Sequence, residues 1–307
     1  MRVLISGSTG LVGTALLDAM RQRGHDLGRL VRPSTRNRTT GRARSPEPVS
    51  LAWDPEGGIL DPASSGADAI VHLAGASIAD GRWTASRKQI LLESRVDATR
   101  QLVEALGRLT RPPKVFVAAS AIGFYGDRGD EALTESSPPG RDFLAHVCQD
   151  WETESQHASA FGARVVILRF GIILAREGGA LPRMVLPFRM GVGGRLGSGR
   201  QWMSWVMLED VVEVIRYAID AADLVGPVNV VSPNPVRNSD FTTALGQVLH
   251  RPTLFPAPGF ALRVALGEMA DALLLSSQRV LPQKLQTLGY PFFHQSLEPA
   301  LQTVLGR

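Results

Sequence analysis

Three glycines near the N-terminus, Gly7, Gly10 and Gly13 in GSTGLVG, have the type and spacing that a dinucleotide phosphate demands. A tight strand-to-helix turn, backbone approach to a pyrophosphate and close helix-to-strand packing each call for a residue without a side chain, and the phosphates then lie on the helix N-terminus. The spacing is GxxGxxG rather than GxGxxG, with Ser8, Thr9, Leu11 and Val12 filling the turn. A glycine triplet alone is a weak signal. Here RVLIS precedes it and an amphipathic stretch follows, so residues 7 to 13 are expected to cradle a cofactor. About twenty residues on, an acidic residue would hold the ribose hydroxyls of NAD, whereas an arginine would take the 2′-phosphate of NADP. The chain has Arg32 there, and no Asp or Glu lies between Leu27 and Arg44. NADP(H) is therefore the expected cofactor; the alternative for Arg32 is an exposed strand-end charge.

Such a cradle needs a strand before it and a helix after it. The runs RVLIS (2–6), HDLGRLV (25–31), VSLAW (49–53), AIVHLAG (69–75), KVFVAAS (114–120) and RVVILRFGIIL (164–174) are β-prone and bounded by turn residues. Between them apolar residues recur at helical spacing: Val12, Leu16, Ala19 and Met20 on one face, then Leu91, Ala98, Leu102 and Leu106 within 87–109, with a further helix over 142–161. Alternating strand and helix predicts an α/β fold, a Rossmann-like doubly wound parallel sheet. After residue 175 the pattern changes to Gly- and Pro-rich loops, with EDVVEVIRYAIDAA and NSDFTTALGQVL as helices and GPVNVVS as a strand. The expected organisation is a cofactor domain over 1–174, a smaller substrate lobe over 175–250, and a mostly helical C-terminal segment over 251–307 packed on that lobe.

Composition excludes several classes. At 307 residues and 44% hydrophobic content the chain can bury a sizeable core. Cys148 is the single cysteine, and the six histidines show no HxxxH or HExxH spacing, so neither a disulfide nor a metal centre is expected. The net charge of +4 and pI near 9.7 owe much to RPSTRNRTTGRAR. Arg32, Arg36, Arg38, Arg42 and Arg44 sit there among Ser, Thr, Gly and Pro without aromatics for base stacking, which reads as a solvated loop rather than a nucleic-acid site. Apolar runs are too short or interrupted for a signal peptide or a membrane span. A cytoplasmic protein with a small-molecule substrate, and no nucleic acid or membrane partner, is expected.

Longer motifs carry a resemblance. GSTGLVG, HLAGA (72–76), SAIGFYG (120–126), LRFGIIL and GSGRQWMSWVMLEDVVEVI resemble the extended short-chain dehydrogenases and sugar-nucleotide epimerases. More narrowly, FLAHVCQDWE, GRQWMSW, GPVNVVSPNPVRNSDF and LGEMADALLLSSQRVLPQKL resemble an atypical branch, the NAD-dependent epimerase/dehydratase family proteins with a C-terminal domain of unknown function. The resemblance runs nearly end to end. It implies cofactor contacts from Leu73, Ala74 and Gly75, and branch-pattern roles for Asp54, Arg82, Trp83 and Arg95 in or near the cofactor lobe, against the alternatives of loop charge and helix packing. Fold-level analogy suggests a homodimer.

The same resemblance exposes a gap. Ordinary superfamily members carry Tyr-x-x-x-Lys on a helix, where four-residue spacing lets the ammonium lower the tyrosine pKa for proton exchange during hydride transfer. The three tyrosines here, Tyr125, Tyr217 and Tyr290, are followed four residues later by Gly129, Ala221 and His294. In the matching helix Leu144 stands near the tyrosine position and Cys148 near the lysine position. Ser120 fits the superfamily's active-site Ser, contacting either a reacting oxygen or a backbone group at a strand end. Tyr125, expected near the mouth of the same strand, is either a proton donor or an aromatic packed at the cofactor edge. Ser120 also counts as a cofactor contact, while Glu131, Glu135 and Asp150 are partners only if the fold gathers them. In the substrate lobe Met203 and Met207 replace the Arg and His of many sugar-nucleotide enzymes, and Ala76 replaces a branch glutamate. Arg183, Arg189, Arg195 and Arg200 remain as anion contacts or as solvated loop charges. Two functions stay open: an NADP(H)-dependent epimerase or oxidoreductase, and a non-catalytic NADP(H) sensor.

Overall fold

The computed structural model describes residues 1–33 and 48–306; Arg36, Arg38, Arg42 and Arg44 of the basic stretch lie outside the described residues. Apolar runs rich in Val, Ile and Leu form strands buried on both faces, as a parallel sheet covered by helices requires. β1 (Arg2–Ser6) sits inside an eight-stranded sheet, flanked on one side by β2 (Asp26–Val31), β3 (Val49–Asp54) and the short antiparallel β4 (Ile59–Leu60). On the other side lie β5 (Ala69–His72), β6 (Val115–Ala121), β8 (Arg164–Phe170) and β12 (Gly226–Val230), all parallel. Short pairs complete the strands: β7 (Ala132–Leu133) with β14 (Arg279–Val280), β9 (Ile172–Leu174) with β11 (Trp205–Met207), and β10 (Trp202–Met203) with β13 (Val236–Arg237). The direction of strand addition reverses between β1 and β5. In a doubly wound sheet that switch opens a crevice beyond the strand carboxyl ends.

Helices α1 (Leu11–Gln22), α2 (Ala85–Glu93), α3 (Val96–Gly107), α4 (Phe143–Gln156), α5 (Leu181–Arg189), α6 (Leu208–Asp220), α7 (Asn238–Leu249) and α8 (Gly259–Leu266) cover the sheet and extend beyond it. One face buries Val3, Ile5, Leu16, Met20, Val117, Val211 and Ile215 between the sheet, α1 and α6. The other buries Leu4, Ile70, Leu102, Leu106, Phe116 and Ile167 beneath α3. A separate core gathers Leu181, Phe188, Trp205, Phe241, Leu245 and Leu301 under the C-terminal half. Arg164 joins layers: its guanidinium donates to the carbonyls of Ala218, Ile219 and Leu224 at 2.7–2.9 Å, capping the end of α6.

The α/β fold and its doubly wound sheet are as expected, with local differences. The single helical span expected over 87–109 is two helices, broken at Ser94 and Arg95. The apolar run 164–174 divides at Gly171, where a Cβ would lie 2.6 Å from the Ser204 carbonyl oxygen, so the chain leaves the main sheet as β9 to pair with β11. α5 occupies part of a stretch expected to be loop, and carries Pro187 inside it. β12 and α6, both within 175–250, belong to the large sheet and its covering layer. Among the described residues no helix is long and apolar enough to cross a membrane.

Candidate functional site

At the switch point two backbone segments meet without room for side chains. Gly7 adopts φ +70°, and a Cβ there would lie 2.7 Å from the Leu73 carbonyl carbon and 2.8 Å from the Ala74 nitrogen. On Gly13 it would fall 2.3 Å from the Gly7 carbonyl oxygen. Each therefore enforces one approach, loop to loop and helix to loop. The Gly7 carbonyl accepts from Gly10 N at 3.0 Å, closing the turn that Ser8 and Thr9 complete. Gly10 then starts α1, with Leu11 and Val12 in its first turn and no side-chain cap on its amides. Uncapped amides at a helix start are the arrangement that anion-binding sites use.

The floor beneath is polar and closed. Ser6 Oγ lies 2.5 Å from His72 Nδ1, and His72 Nε2 lies 2.9 Å from Thr99 Oγ1. Burial lowers the His72 pKa from 6.5 to about 4, so the ring is neutral at physiological pH. Along the same carboxyl edge, Arg32 is exposed two residues past Leu30, the partner of Ser6 in register. Gly75 lies over Arg95: a Cβ there would sit 3.2 Å from the guanidinium carbon. Arg95 donates to the Ala76 and Leu91 carbonyls at 2.9 and 3.2 Å and lies 5.3 Å from the Trp151 ring centroid, with burial lowering its pKa. Asp54 ends β3 and accepts from the Glu56 amide at 3.1 Å. Arg82 is turned elsewhere, onto the Val264 and Ala265 carbonyls at the end of α8. Beside Thr9, Gly10 and Leu11 a cleft of ≈ 730 Å³ continues past Arg176, Glu177 and Glu209 to Thr303 and Val304.

The end of β6 is built differently. Ser120 Oγ donates to Glu152 Oε1 at 2.6 Å. Arg169 grips the same carboxylate through two contacts, Nε to Oε1 at 2.8 Å and Nη2 to Oε2 at 2.7 Å, and stacks 3.4 Å from the Phe124 ring centroid. Burial disfavours the Arg169 charge, but Glu152 and Tyr125 together more than offset this and raise its pKa. The third arm of Arg169 donates to the Tyr125 hydroxyl at 2.9 Å, and that hydroxyl donates to Asn229 Oδ1 at 2.7 Å. Asn229 continues the chain: its Nδ2 donates to the Leu281 carbonyl, while its backbone N and that of Lys284 both donate to Glu135 Oε1. Tyr125 stands in the turn directly after β6, its hydroxyl joined through Arg169 to the Ser120–Glu152 pair. It is fully buried, its hydroxyl is engaged on both sides, and burial raises its pKa despite Arg169.

On α4, Leu144 lies half-buried against Gly123, where a Cβ would meet the Leu144 Cβ at 3.4 Å. Cys148 is buried, and its thiol is pushed up to about 12 by burial and by the Glu152 charge. Glu131 pairs with Arg128 at the surface, Asp150 is exposed, and neither joins the Ser120 network. Arg183 donates to Ala79 and Asp80. Sequence reasoning overlooked Glu152 and Arg169 as members of the site. Glu152 lies on the Leu144 and Cys148 face of α4, four residues on, and Arg169 is a charge inside an apolar strand. Those two patterns were the available signal.

A family model described as the NAD dependent epimerase/dehydratase family matches residues 3–231, and a domain of unknown function, DUF1731, matches 257–304. The epimerase family protein Mb2239 of Mycobacterium bovis is 42% identical over 300 residues, covering 97% of this chain and 96% of that protein. YfhF of Bacillus subtilis is 39% identical over 309 residues, covering 99% and 98%. The crystal structure of human epimerase family protein SDR39U1 (isoform 2) with NADPH superposes with a TM-score of 0.84 at 30% identity, covering 99% of each chain. A nucleoside-diphosphate sugar epimerase from Corynebacterium glutamicum gives a TM-score of 0.79 at 36% identity, over all of this chain and 58% of that one.

Proposed function

The chain belongs to the NAD dependent epimerase/dehydratase family, and on that premise we propose that it binds NADP(H) at the switch point. It then acts as an oxidoreductase or epimerase on a small carbonyl, alcohol or sugar-nucleotide, without a tyrosine-lysine pair. The observation that carries this reading is the meeting of Gly7 with Leu73 and Ala74 beside the uncapped start of α1, a cradle that a single Cβ would fill. Arg32 supports NADP(H) over NAD(H), since a guanidinium at the end of β2 suits a 2′-phosphate. The NADPH-bound human relative supports the same choice.

Bound there, NADP(H) supplies hydride chemistry at its nicotinamide. The α1 amides hold the pyrophosphate, and Leu73 to Gly75 line the crevice. Leu144 has no proton to exchange, and the Cys148 thiol stays protonated far above neutral pH. Proton transfer falls to Ser120, whose hydrogen points at Glu152, or to water. Absence of the positioned tyrosine removes a factor of roughly 10²–10⁴ in rate, so turnover is slow or restricted to an easy substrate.

Titrating the protein with NADPH and NADH tests the cofactor assignment: NADPH should bind more tightly, and Arg32→Asp should abolish that preference. Equal affinity of the wild-type protein for both would overturn it. A specific observation favours a second reading, a non-catalytic NADP(H) sensor: the Ser120 proton is already engaged by Glu152, and apolar or protonated groups hold the tyrosine and lysine positions. Following bound NADPH across a broad carbonyl panel separates the two. Oxidation by any member supports the enzyme; none supports the sensor.

A further inference from the structure

Between β9 and α5 the segment AREGGA (175–180) runs beside the first turn of α1. Its two ends are fixed, because Leu174 and Leu181 both belong to the core under the C-terminal half. Its middle is fixed by Leu11, the first residue of α1. A Cβ on Gly179 would lie 3.1 Å from Leu11 Cδ2, and one on Gly178 would lie 3.5 Å from Leu11 Cδ1. Both glycines take left-handed backbone, φ +76° at Gly178 and +66° at Gly179, where a side chain would be strained. The segment is thus a strap laid on the same helix start that leaves its amides uncapped.

One charged side chain on the strap has no use within the protein. Arg176 is exposed and makes no hydrogen bond or ion pair among the described residues. It lines the cleft of ≈ 730 Å³ together with Thr9, Gly10 and Leu11, and among the described residues it is the only cation that does so. An isolated guanidinium is badly placed there, since a helix start presents the positive end of the macrodipole and repels a cation. A phosphate group between the two reverses both interactions: it accepts from the helix amides on one side and from the planar guanidinium fork on the other. Asp18, Glu177 and Glu209 also line the cleft, so an anion is favoured only where Arg176 and the α1 amides offset those carboxylates.

We propose that Arg176 is a diphosphate clamp: the strap holds its guanidinium against the bridging phosphates of the bound nucleotide, facing the α1 amides. This rests on the cofactor site proposed above and deepens it by dividing the work between two arginines. Arg32 reads the 2′-phosphate and so separates NADP(H) from NAD(H), whereas Arg176 holds the group that both cofactors share.

Calorimetric titration with NADPH, NADH and ADP-ribose tests that division. Arg176→Ala should weaken all three by one common factor, about tenfold for a lost charge-assisted contact to phosphate, and should leave the NADPH-to-NADH ratio at its wild-type value. Arg32→Asp should instead collapse that ratio without weakening ADP-ribose. The strap has its own readout. Gly179→Ala drives a Cβ against Leu11, so it should weaken NADPH binding in the wild-type chain and add nothing in the Arg176→Ala chain. Additive losses would overturn the strap as the carrier of the clamp. Melting curves should show Arg176→Ala as stable as wild type, because the side chain it removes has no partner in the protein. Unchanged affinities in Arg176→Ala would overturn the clamp while leaving the cofactor reading intact. A loss confined to NADPH would overturn it as well, since Arg176 would then be reading the 2′-phosphate. If the wild-type protein binds none of the three nucleotides, the cofactor reading falls and the clamp falls with it.

Discussion

The glycine turn after β1 and the carboxyl end of β6 sit on the same edge of the same sheet, and they dispose their polar groups in opposite ways. At the turn, backbone amides are left without side-chain partners, and the neighbouring segments approach so closely that nothing but glycine fits. At the end of β6, hydroxyl, carboxylate, guanidinium and phenol consume one another: Ser120 on Glu152, Glu152 on Arg169, Arg169 on Tyr125, Tyr125 on Asn229. One region is open because its donors face outward; the other is closed because its donors face inward. An open and a self-satisfied polar region thus stand side by side on one scaffold.

The largest effect should come from breaking the closed region. Arg169→Leu leaves the Glu152 carboxylate buried without its partner, and urea unfolding should show a loss of about 3–5 kcal/mol; a loss below about 1 kcal/mol would mean the pair is incidental. Next comes the floor of the open region. Because the His72 pKa is about 4 in the folded chain against 6.5 ordinarily, both states are neutral above pH 6.5. As pH falls from 6.5 toward 4 the unfolded chain takes a proton that the folded chain refuses, so stability should drop by about 3 kcal/mol across that window. His72→Gln should remove that part of the slope, and an unchanged slope would place its origin elsewhere. Third, Gly13→Ala should weaken NADPH binding on the order of 100-fold, about 2.7 kcal/mol, with NADPH fluorescence as the readout; retained affinity would show that the turn can yield. The smallest effect sharpens the contrast. Ser120→Ala should cost about 1–2 kcal/mol of stability yet leave NADPH affinity within about twofold, whereas a large loss of affinity would join the two regions into one site.

What the sequence disclosed follows the range of the interactions. The cradle is local: RVLIS, the glycines and the α1 pattern lie within twenty-two residues, and β1 falls on residues 2–6 as expected. Arg32 was legible because strand length fixes where β2 ends. The closed network was not, since Ser120 and Glu152 are 32 residues apart and Tyr125 and Asn229 are 104 apart. Nothing local to Tyr125 distinguishes a free phenol from one locked between Arg169 and Asn229. Arg82 shows the same limit in reverse. Its place near the cofactor lobe was readable, but its hydrogen bonds run 182 and 183 residues ahead to α8, and tertiary contact decided its partner. The split of 164–174 at Gly171 likewise depends on Ser204, which packs there only once β9 and β11 have paired.

The position of Cys148 has a practical corollary. It is the only sulfhydryl in the chain, it is 4% exposed, and its ionisation is pushed up to about 12. Thiolate, not thiol, is what alkylating agents and peroxides attack. The folded chain therefore offers no cysteine thiolate to such reagents. In the same stroke it carries a clock, because iodoacetamide can mark the chain only when α4 lifts from the sheet, and the labelling rate counts those openings.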